Sequence, residues 1–236
     1  MNPLSLSLST SEQCKIATFL TLIDQKIENI TKIINCFIKI KKYFLNNLFV
    51  NKNNKVPSLR FSGFKEEWQL FKLKDIVEIQ KKTNLLSSVG QPTGLYKFFT
   101  CSHNGTHKYL DQYCFDGEYL VVNNGGTMYT NYVNDKFATT SDCIVLKVIK
   151  NETKFLYFLL KNKEQQINYF GFQGLTIKHL DMNYFLNLTL FFPNNIHEQI
   201  KILEFLNLID QKIENIKQQK NCLEQYRSYL LKNMFV

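Results

Sequence analysis

The sequence lacks the short motifs that mark disulfide-rich proteins, membrane proteins and nucleotide-binding enzymes. Its six cysteines form no C-x-x-C pair, so we expect reduced thiols and a cytoplasmic location. The start of the chain has no basic segment before an apolar one, so we expect no signal peptide. No run of about 18 apolar residues predicts a membrane span. No G-x-x-x-x-G-K-S/T loop predicts phosphate binding.

Acidic residues are fewer than basic ones, 20 against 29, which gives a formal charge of +9. This excess favours an anionic partner, such as nucleic acid or a membrane surface. The basic residues are spread along the chain and do not form a basic tail. A basic surface must therefore be assembled by folding.

Glycine and proline are both absent from residues 10–50 and 196–236, so nothing in these segments forces a break in a helix. The two segments are copies of each other. Aligned without a gap, they share 22 of 41 residues, including the nonapeptide LIDQKIENI at 22–30 and 208–216. An internal repeat of this length predicts two equivalent structural units.

The apolar residues of both copies recur in alternating steps of three and four, the pattern of a coiled-coil seam. Since a lone amphipathic helix leaves its seam exposed, we predict that the copies pair, and the returning chain makes the pair antiparallel. About 38 residues at about 1.5 Å each give rods of about 55–60 Å. Basic residues interrupt the seam at Lys41, Lys220 and Arg227. The predicted seam residues are Ile16, Leu20, Ile23, Ile27, Ile30, Ile34, Phe37, Phe44 and Leu48, and then Ile202, Leu206, Ile209, Ile213, Ile216, Leu223, Leu230 and Met234.

The segment between the copies has a different period. Short apolar runs alternate with turn signals at Asn104-Gly105, Asp116-Gly117 and Asn124-Gly125-Gly126, which favours hairpins. Residues 152–170 are predicted to form one helix. The fold class is therefore α+β, with a mostly antiparallel sheet. We place the domains at 1–50 (first long helix), 51–195 (globular insert) and 196–236 (second long helix).

Three stretches together resemble the specificity subunit of type I restriction–modification systems. VPSLRFSGFKEEWQLFKLKDI is similar to the opening of a target recognition domain in that family. YKFFTCSHNGTHKYLDQYCFDGEYLVVNNGGTMYTNYV resembles its central hairpins. GFQGLTIKHLDMNYFLNLTLFFPNNIHEQIKILEFLNLIDQKIE is similar to the junction into a long helix. The resemblance covers nearly the whole chain.

The resemblance implies sequence-specific binding of double-stranded DNA and assembly with methyltransferase subunits, and with a restriction subunit where one exists. In the family, paired helices hold two recognition domains a fixed distance apart, whereas this chain has one domain and resembles a half-length form. It would then act as a homodimer or with another half-length chain. The Asn-Pro-Pro-aromatic tetrad of the methyltransferase is absent, so we expect no catalysis and no cofactor. The alternative is a truncated interaction or decoy protein that assembles without directing modification.

Polar residues beside the predicted turns are candidates for phosphate and base contacts, since Asn pairs with adenine and Thr or Tyr reaches phosphates. Any of these residues is equally compatible with an ordinary turn or a solvated loop. The predicted DNA-binding residues are Lys81, Lys82, Thr83, Asn84, Ser102, His103, Asn104, Lys108, Asn123, Asn124, Thr127, Tyr129, Asn131, Gln173, Thr176 and Lys178, with His179 in the last loop.

One cluster contains zinc-ligand residue types: Cys101, His103, His107 and Cys114. Their spacing fits no common zinc module, and the Asn-Gly dipeptide between the histidines argues against a helix that presents both. We therefore expect no metal site, and a hairpin is the alternative that we favour. An enzyme acting through this cluster is the third hypothesis.

Overall fold

A computed structural model describes residues 9–50, 54–101, 108–176 and 178–234. The chain divides into two compact units. The helical unit contains residues 9–44 and 204–234, and the sheet unit contains residues 45–203. The long helices α1 (Thr10–Leu48) and α5 (Ile196–Met234) each contribute turns to both units.

The helical unit confirms the predicted antiparallel pairing. Its buried and half-buried positions follow the predicted seam, and the residues between them are mostly exposed. Lys41 Nζ lies 2.6 Å from Asp210 Oδ1, and Arg227 binds Asp24 through two nitrogens. Both ion pairs join residues whose numbers sum to 251, as an antiparallel register requires. Two of the basic interruptions of the seam are thus neutralised by an aspartate of the opposite helix.

The two ion pairs are related by the sequence repeat. Adding the repeat offset of 186 converts Lys41 into Arg227 and Asp24 into Asp210. The same contact therefore occurs twice, with the helices exchanged. This is the signature of a twofold relation within the helical unit. The third interruption, Lys220, lies 3.5 Å from Glu224 on its own helix.

The sheet unit contains a six-stranded sheet. Its strands are β2 (Val77–Ile79), β3 (Tyr96–Phe99), β4 (Lys108–Leu110), β5 (Phe115–Asn123), β6 (Thr130–Thr139) and β7 (Cys143–Val148). Their spatial order is β2-β7-β5-β6-β3-β4. Neighbouring strands pair antiparallel, except β3 and β6, which are parallel. The α+β class with a mostly antiparallel sheet is therefore confirmed.

Two pairs of short strands and three helices complete the sheet unit. β1 (Gln69–Lys72) pairs with β10 (Thr189–Phe192), and β8 (Phe172–Gln173) pairs with β9 (His179–Leu180). A 3-10 turn at Leu73–Asp75 follows β1, and a second spans Ser87–Val89. The helices are α2 (Thr153–Asn162), α3 (Glu164–Phe170) and α4 (Met182–Leu186).

Two local predictions are wrong. Residues 152–170 form two consecutive helices, α2 and α3, because Lys163 leaves helical geometry at φ −93° and ψ 2°. Asp116-Gly117 is not a turn but lies inside β5, where Gly117 has φ +119° and pairs with Asp135. Gly117 thus adopts a positive φ, which glycine tolerates, inside a strand and not in a turn. Asn124-Gly125-Gly126 does connect β5 to β6, and Asn104-Gly105 lies outside the described residues.

Aromatic rings form the core around α2. The ring of Phe155 lies 5.0 Å from that of Phe49, 5.8 Å from Trp68 and 5.5 Å from Phe192, measured between centroids. All four side chains are at most 2% exposed. Phe49 directly follows α1, which explains why the copied "FV" at the end of the first repeat is buried. A second cluster fills the space between β5, β6 and β7 around Phe137.

The first turn of α5 belongs to the sheet unit, where two of its side chains make buried polar bonds. The Glu198 carboxylate accepts from Arg60 at 2.7 and 2.8 Å and from the Trp68 indole at 3.4 Å. Gln199 accepts from the backbone N–H of Glu152 at 3.1 Å and donates to Asn151 Oδ1 at 2.9 Å. Glu198 and Gln199 are each 1% exposed, so these polar bonds are shielded from water.

Candidate DNA interface and helical surfaces

The β5–β6 turn is shaped by the side chain of Asn123. Its amide nitrogen donates to the carbonyl of Gly125 at 2.8 Å and to that of Thr127, while its oxygen accepts from the N–H of Tyr129. Asn123 is only 6% exposed. The structure therefore places this predicted DNA contact inside the turn, whereas Thr127 is exposed at its tip.

The turn packs beside the loop that joins β8 to β9. Gly126 N–H donates to the carbonyl of Lys178 at 2.9 Å, and Leu180 N–H donates to that of Asn124 at 3.0 Å. These bonds bring the exposed Gln173, Thr176 and Lys178 close to the turn. Gln173 is fixed by a bond of 3.0 Å from its amide to Asp181.

A third segment, residues 81–84, reaches the same place. It follows β2 along β7, where Gln80 N–H donates to the carbonyl of Val145 at 2.8 Å. Thr83 Oγ1 donates to the carbonyl of Thr139 at 2.5 Å and is half-buried. Lys81, Lys82 and Asn84 remain exposed.

The link between these segments is the turn 140–142. Ser141 N–H donates to the carbonyl of Leu85 at 3.1 Å, and the carbonyl of Asp142 accepts from Asn124 N–H at 3.0 Å. Three segments far apart in sequence thus meet at one end of the six-stranded sheet. We call this region the loop surface, defined by residues 81–84, 124–129 and 173–178, of which Ile177 is not described. Its exposed lysines are Lys81, Lys82 and Lys178.

The remaining predicted contacts are placed less uniformly. Lys108 begins β4 at the edge of the sheet, where its ammonium donates to the carbonyl of Ser87 at 2.6 Å. Asn131 is half-buried and lines a small pocket together with Cys101 and Cys143. Ser102, His103 and Asn104 lie outside the described residues.

Sequence reasoning missed one cation at the loop surface. Lys161 of α2 places its ammonium 4.3 Å from the centre of the Tyr129 ring. It also lies 3.2 Å from Glu164, so its charge is partly balanced. A cation–π contact of this kind orients the ring of Tyr129. The sequence pattern gives no sign that α2 lies beside the β5–β6 turn. Only the folded structure shows that they are neighbours.

Burial perturbs two titratable groups near the sheet. The pKa of the Tyr132 phenol is raised well above its usual value by burial and by its hydrogen bond to Glu118. The pKa of the Lys163 ammonium is lowered, because burial disfavours its charged form. Among the described residues, no group of three or more His, Cys, Asp or Glu side chains is arranged to hold a metal ion. His103 and His107, the two histidines of the Cys/His cluster considered as a zinc site, lie outside the described residues.

The helical unit exposes an apolar face. Leu22 and Leu208, which are equivalent in the repeat, are 57% and 64% exposed, and the equivalent Tyr43 and Tyr229 are 59% and 62% exposed. Each directly precedes a seam residue, so each lies on the same side of the seam. In an antiparallel pair, that side of both helices forms one face.

Three pairs of repeat-equivalent exposed residues form two equivalent patches on this face. The register of the ion pairs sets Leu22 opposite Tyr229, and Tyr43 opposite Leu208. Tyr226 and Ile40, also equivalent, add to the first and second patch respectively and are 47% and 37% exposed. We call these the Leu22 patch (Leu22, Tyr226, Tyr229) and the Leu208 patch (Leu208, Ile40, Tyr43).

A family model described as the type I restriction modification DNA specificity domain matches residues 65–225. This match covers more than half of the chain, and the chain belongs to that family. Within the described residues, neither long helix nor any other is long and apolar enough to cross a membrane.

Two Mycoplasma pneumoniae proteins are among the relatives. The type I specificity subunit S.MpnORF507P is 31% identical over 173 residues, which are 68% of this chain and 46% of that protein. The type I restriction enzyme MpnII specificity subunit is 29% identical over 207 residues, which are 80% of this chain and 60% of that protein. The chain thus spans about half the length of these relatives.

Solved structures share the fold. The type I restriction–modification S subunit from M. genitalium superposes with a TM-score of 0.71 at 18% identity, covering 97% of this chain and 62% of that one. The HsdS subunit from Thermoanaerobacter tengcongensis gives 0.58 at 14% identity, covering 94% and 56%. The combination of a β-rich domain with long terminal helices is therefore a known architecture.

Proposed function

We propose that this chain is the DNA-reading, non-catalytic subunit that directs an adenine methyltransferase, and a restriction subunit where one is present, to a target sequence in the cytoplasm. Family membership supports the DNA-recognition role. We assign DNA binding to the loop surface, because three loop segments with exposed lysines and amides meet there at one end of the sheet. Lysines there would bind phosphates, and the polar side chains between them would reach base edges.

The test begins with the methylation pattern of host DNA with and without the gene, which gives the target sequence. Retention of that duplex by the assembled complex is then measured against salt. Lys81→Gln and Lys178→Gln should each reduce the salt slope by about 0.9, the value for one phosphate. Lys74→Gln is the matched control, because this exposed lysine precedes β2 at the other end of β7. Equal losses for all three variants would refute the assignment of the loop surface.

We further propose that methyltransferase subunits dock on the apolar face of the helical unit, one on the Leu22 patch and one on the Leu208 patch. Two equivalent patches suit two copies of one partner, because the twofold relation offers each copy the same surface. Exposed Leu and Tyr side chains clustered in this way are typical of interface centres.

Leu22→Glu and Leu208→Glu test this docking as a matched pair. Each should reduce the number of methyltransferase subunits bound per recognition chain by one, measured by native mass spectrometry, and the double variant should bind none. Ile38→Glu is the control, since Ile38 is 48% exposed but follows its seam residue and so lies on the opposite face. Loss of binding in Ile38→Glu alone would place the interface elsewhere.

Recognition of a bipartite site requires a second recognition domain. Glu12 and Gln13 of α1 are the repeat equivalents of Glu198 and Gln199, which bind other segments of their own sheet unit. We propose that they contact a second sheet unit, supplied by another copy of this chain or by another half-length chain. A symmetric interrupted palindrome in the methylation pattern would support two identical copies, and an asymmetric one would support a different partner.

The alternative function is a decoy that assembles with methyltransferase subunits without directing modification. Its expected signature is co-purification with the methyltransferase but a methylation pattern that does not depend on the gene. The exposed patches favour assembly in both cases, so the methylation pattern decides between them.

A further inference from the structure

Two thiols adjoin the loop surface, and the proposed function uses neither. Cys101 is the second residue after β3 and is half-buried, while Cys143 begins β7 and is 2% exposed. Cys101 Sγ lies 3.0 Å from the carbonyl of Asp142, and Cys143 Sγ lies 3.6 Å from that of Phe99. The two side chains line the same small pocket.

The surroundings of Cys101 favour its thiolate. The neighbouring Cys143 side chain contributes most to lowering the pKa of Cys101, and burial opposes this effect. The backbone of Asn124 and Gly125 also lowers this pKa, while the Asp142 carboxylate raises it. The net result lowers the pKa of Cys101 to about 7, whereas the neighbouring Cys101 and burial raise the pKa of Cys143. A partly accessible thiolate beside a buried thiol is the arrangement of a reactive cysteine with a resolving partner.

We propose that Cys101 and Cys143 form a reversible disulfide, with Cys101 oxidised first by a hydroperoxide and Cys143 completing the bond. In the first step, the Cys101 thiolate attacks hydrogen peroxide, the O–O bond breaks, and a sulfenic acid and hydroxide form. In the second step, the Cys143 sulfur attacks the Cys101 sulfur and displaces hydroxide, which takes up the Cys143 proton and leaves as water. The hydroxide of the first step takes up the proton that Cys101 released. In total, two thiols and one peroxide give one disulfide and two waters.

The bond would join the end of β3 to the first residue of β7 across the turn 140–142. That turn is hydrogen-bonded to Asn124 of the loop surface and to Leu85, which directly follows the segment 81–84. Oxidation would therefore cross-link the scaffold of the proposed DNA interface. The proposal itself concerns only the thiol chemistry and does not depend on DNA binding.

The test is peptide mapping of the reduced full chain after brief exposure to hydrogen peroxide at pH 7, with remaining thiols alkylated. We expect a linked peptide containing Cys101 and Cys143 to appear before any change at Cys14 or Cys222, which are exposed, or at Cys114, whose pKa burial raises. Dithiothreitol should restore both thiols. Recovery of Cys101 and Cys143 as alkylated thiols while the exposed cysteines oxidise would overturn the proposal.

Two variants assign the order of the steps. In Cys143→Ser, Cys101 should be trapped as a sulfenic acid by dimedone, and in Cys101→Ser, Cys143 should stay reduced. Alkylation of Cys101 by iodoacetamide should rise with a midpoint near its pKa of about 7. Irreversible oxidation of Cys101 in the unaltered chain, without a cross-link, would refute the resolving role of Cys143. The mapping of the unaltered chain is decisive even if a serine variant fails to fold.

Discussion

The Glu198→Gln substitution tests the buried ion pair between Glu198 and Arg60 within the sheet unit. The Glu198 and Arg60 side chains are 2% and 12% exposed, and two hydrogen bonds of 2.7 and 2.8 Å join them. The bonds to Glu198 raise the pKa of Arg60, so the guanidinium is charged in the native protein. In the variant it stays charged, because arginine does not lose its proton in proteins.

Removing one member of a buried ion pair leaves an uncompensated charge and costs about 3–5 kcal/mol. That is a large part of a typical folding free energy of about 5–15 kcal/mol. With a urea dependence of about 2 kcal/mol per molar, the midpoint should fall by about 2 M. The assay is urea titration followed by the fluorescence of Trp68, the single tryptophan, whose indole lies 3.4 Å from Glu198.

Glu214→Gln is the matched control, because Glu214 is an exposed glutamate of the same helix. It should leave the Trp68 transition almost unchanged. Arg60→Met combined with Glu198→Gln should recover part of the lost stability, since the unpaired charge is then gone. Equal midpoints for Glu198→Gln and Glu214→Gln would refute the buried-charge argument.

Two further predictions concern the turn and the helical unit. Asn123→Ala should lower the free energy of unfolding by about 1–3 kcal/mol in the same urea titration, because the groups that its amide binds lose their partner; Thr127→Ala, at the exposed tip, should change it by less than about 0.5 kcal/mol. A small effect of Asn123→Ala would show that its side chain does not shape the turn. The pKa of Asp24 is lowered by its hydrogen bond from Arg227, so the stability it contributes is present above its unfolded pKa and is lost as pH falls through its lower, folded pKa. Far-ultraviolet circular dichroism of Arg227→Gln should therefore show a smaller loss of thermal stability on acidification than the unaltered chain shows, and identical pH profiles would contradict this assignment.

Local sequence identified the features that depend on periodicity. The seam spacing predicted both long helices, because burial along a helix repeats with the sequence itself. Their antiparallel pairing was predicted from the segment between them, which must bring the chain back. The sequence showed that Lys41 and Arg227 interrupt the seam, but it did not show which aspartates bind them. That depends on the register between the two helices, which only the tertiary structure gives. For Asp116-Gly117, the local sequence was misleading. An Asp-Gly dipeptide favours a turn, but its pairing with β6 keeps it within strand β5.

The candidate DNA interface was only partly predictable. The sequence indicated which loops carry Lys, Asn and Thr, because turn residues and polar side chains are local signals. It did not show that residues 81–84, 124–129 and 173–178 meet, which depends on hydrogen bonds between distant segments. It also did not show that Asn123 faces inward, nor that Lys161 reaches Tyr129.

The sequence by itself determined the repeat, the helical seam and the α+β class, because these follow from spacing along one chain. Only the tertiary structure decided which loops share a surface, which carboxylates are buried, and which two of the six thiols are neighbours. The physical reason is that burial and hydrogen bonding between distant segments depend on the order and register in which the strands pair. A local pattern of residues does not determine which distant segments become neighbours.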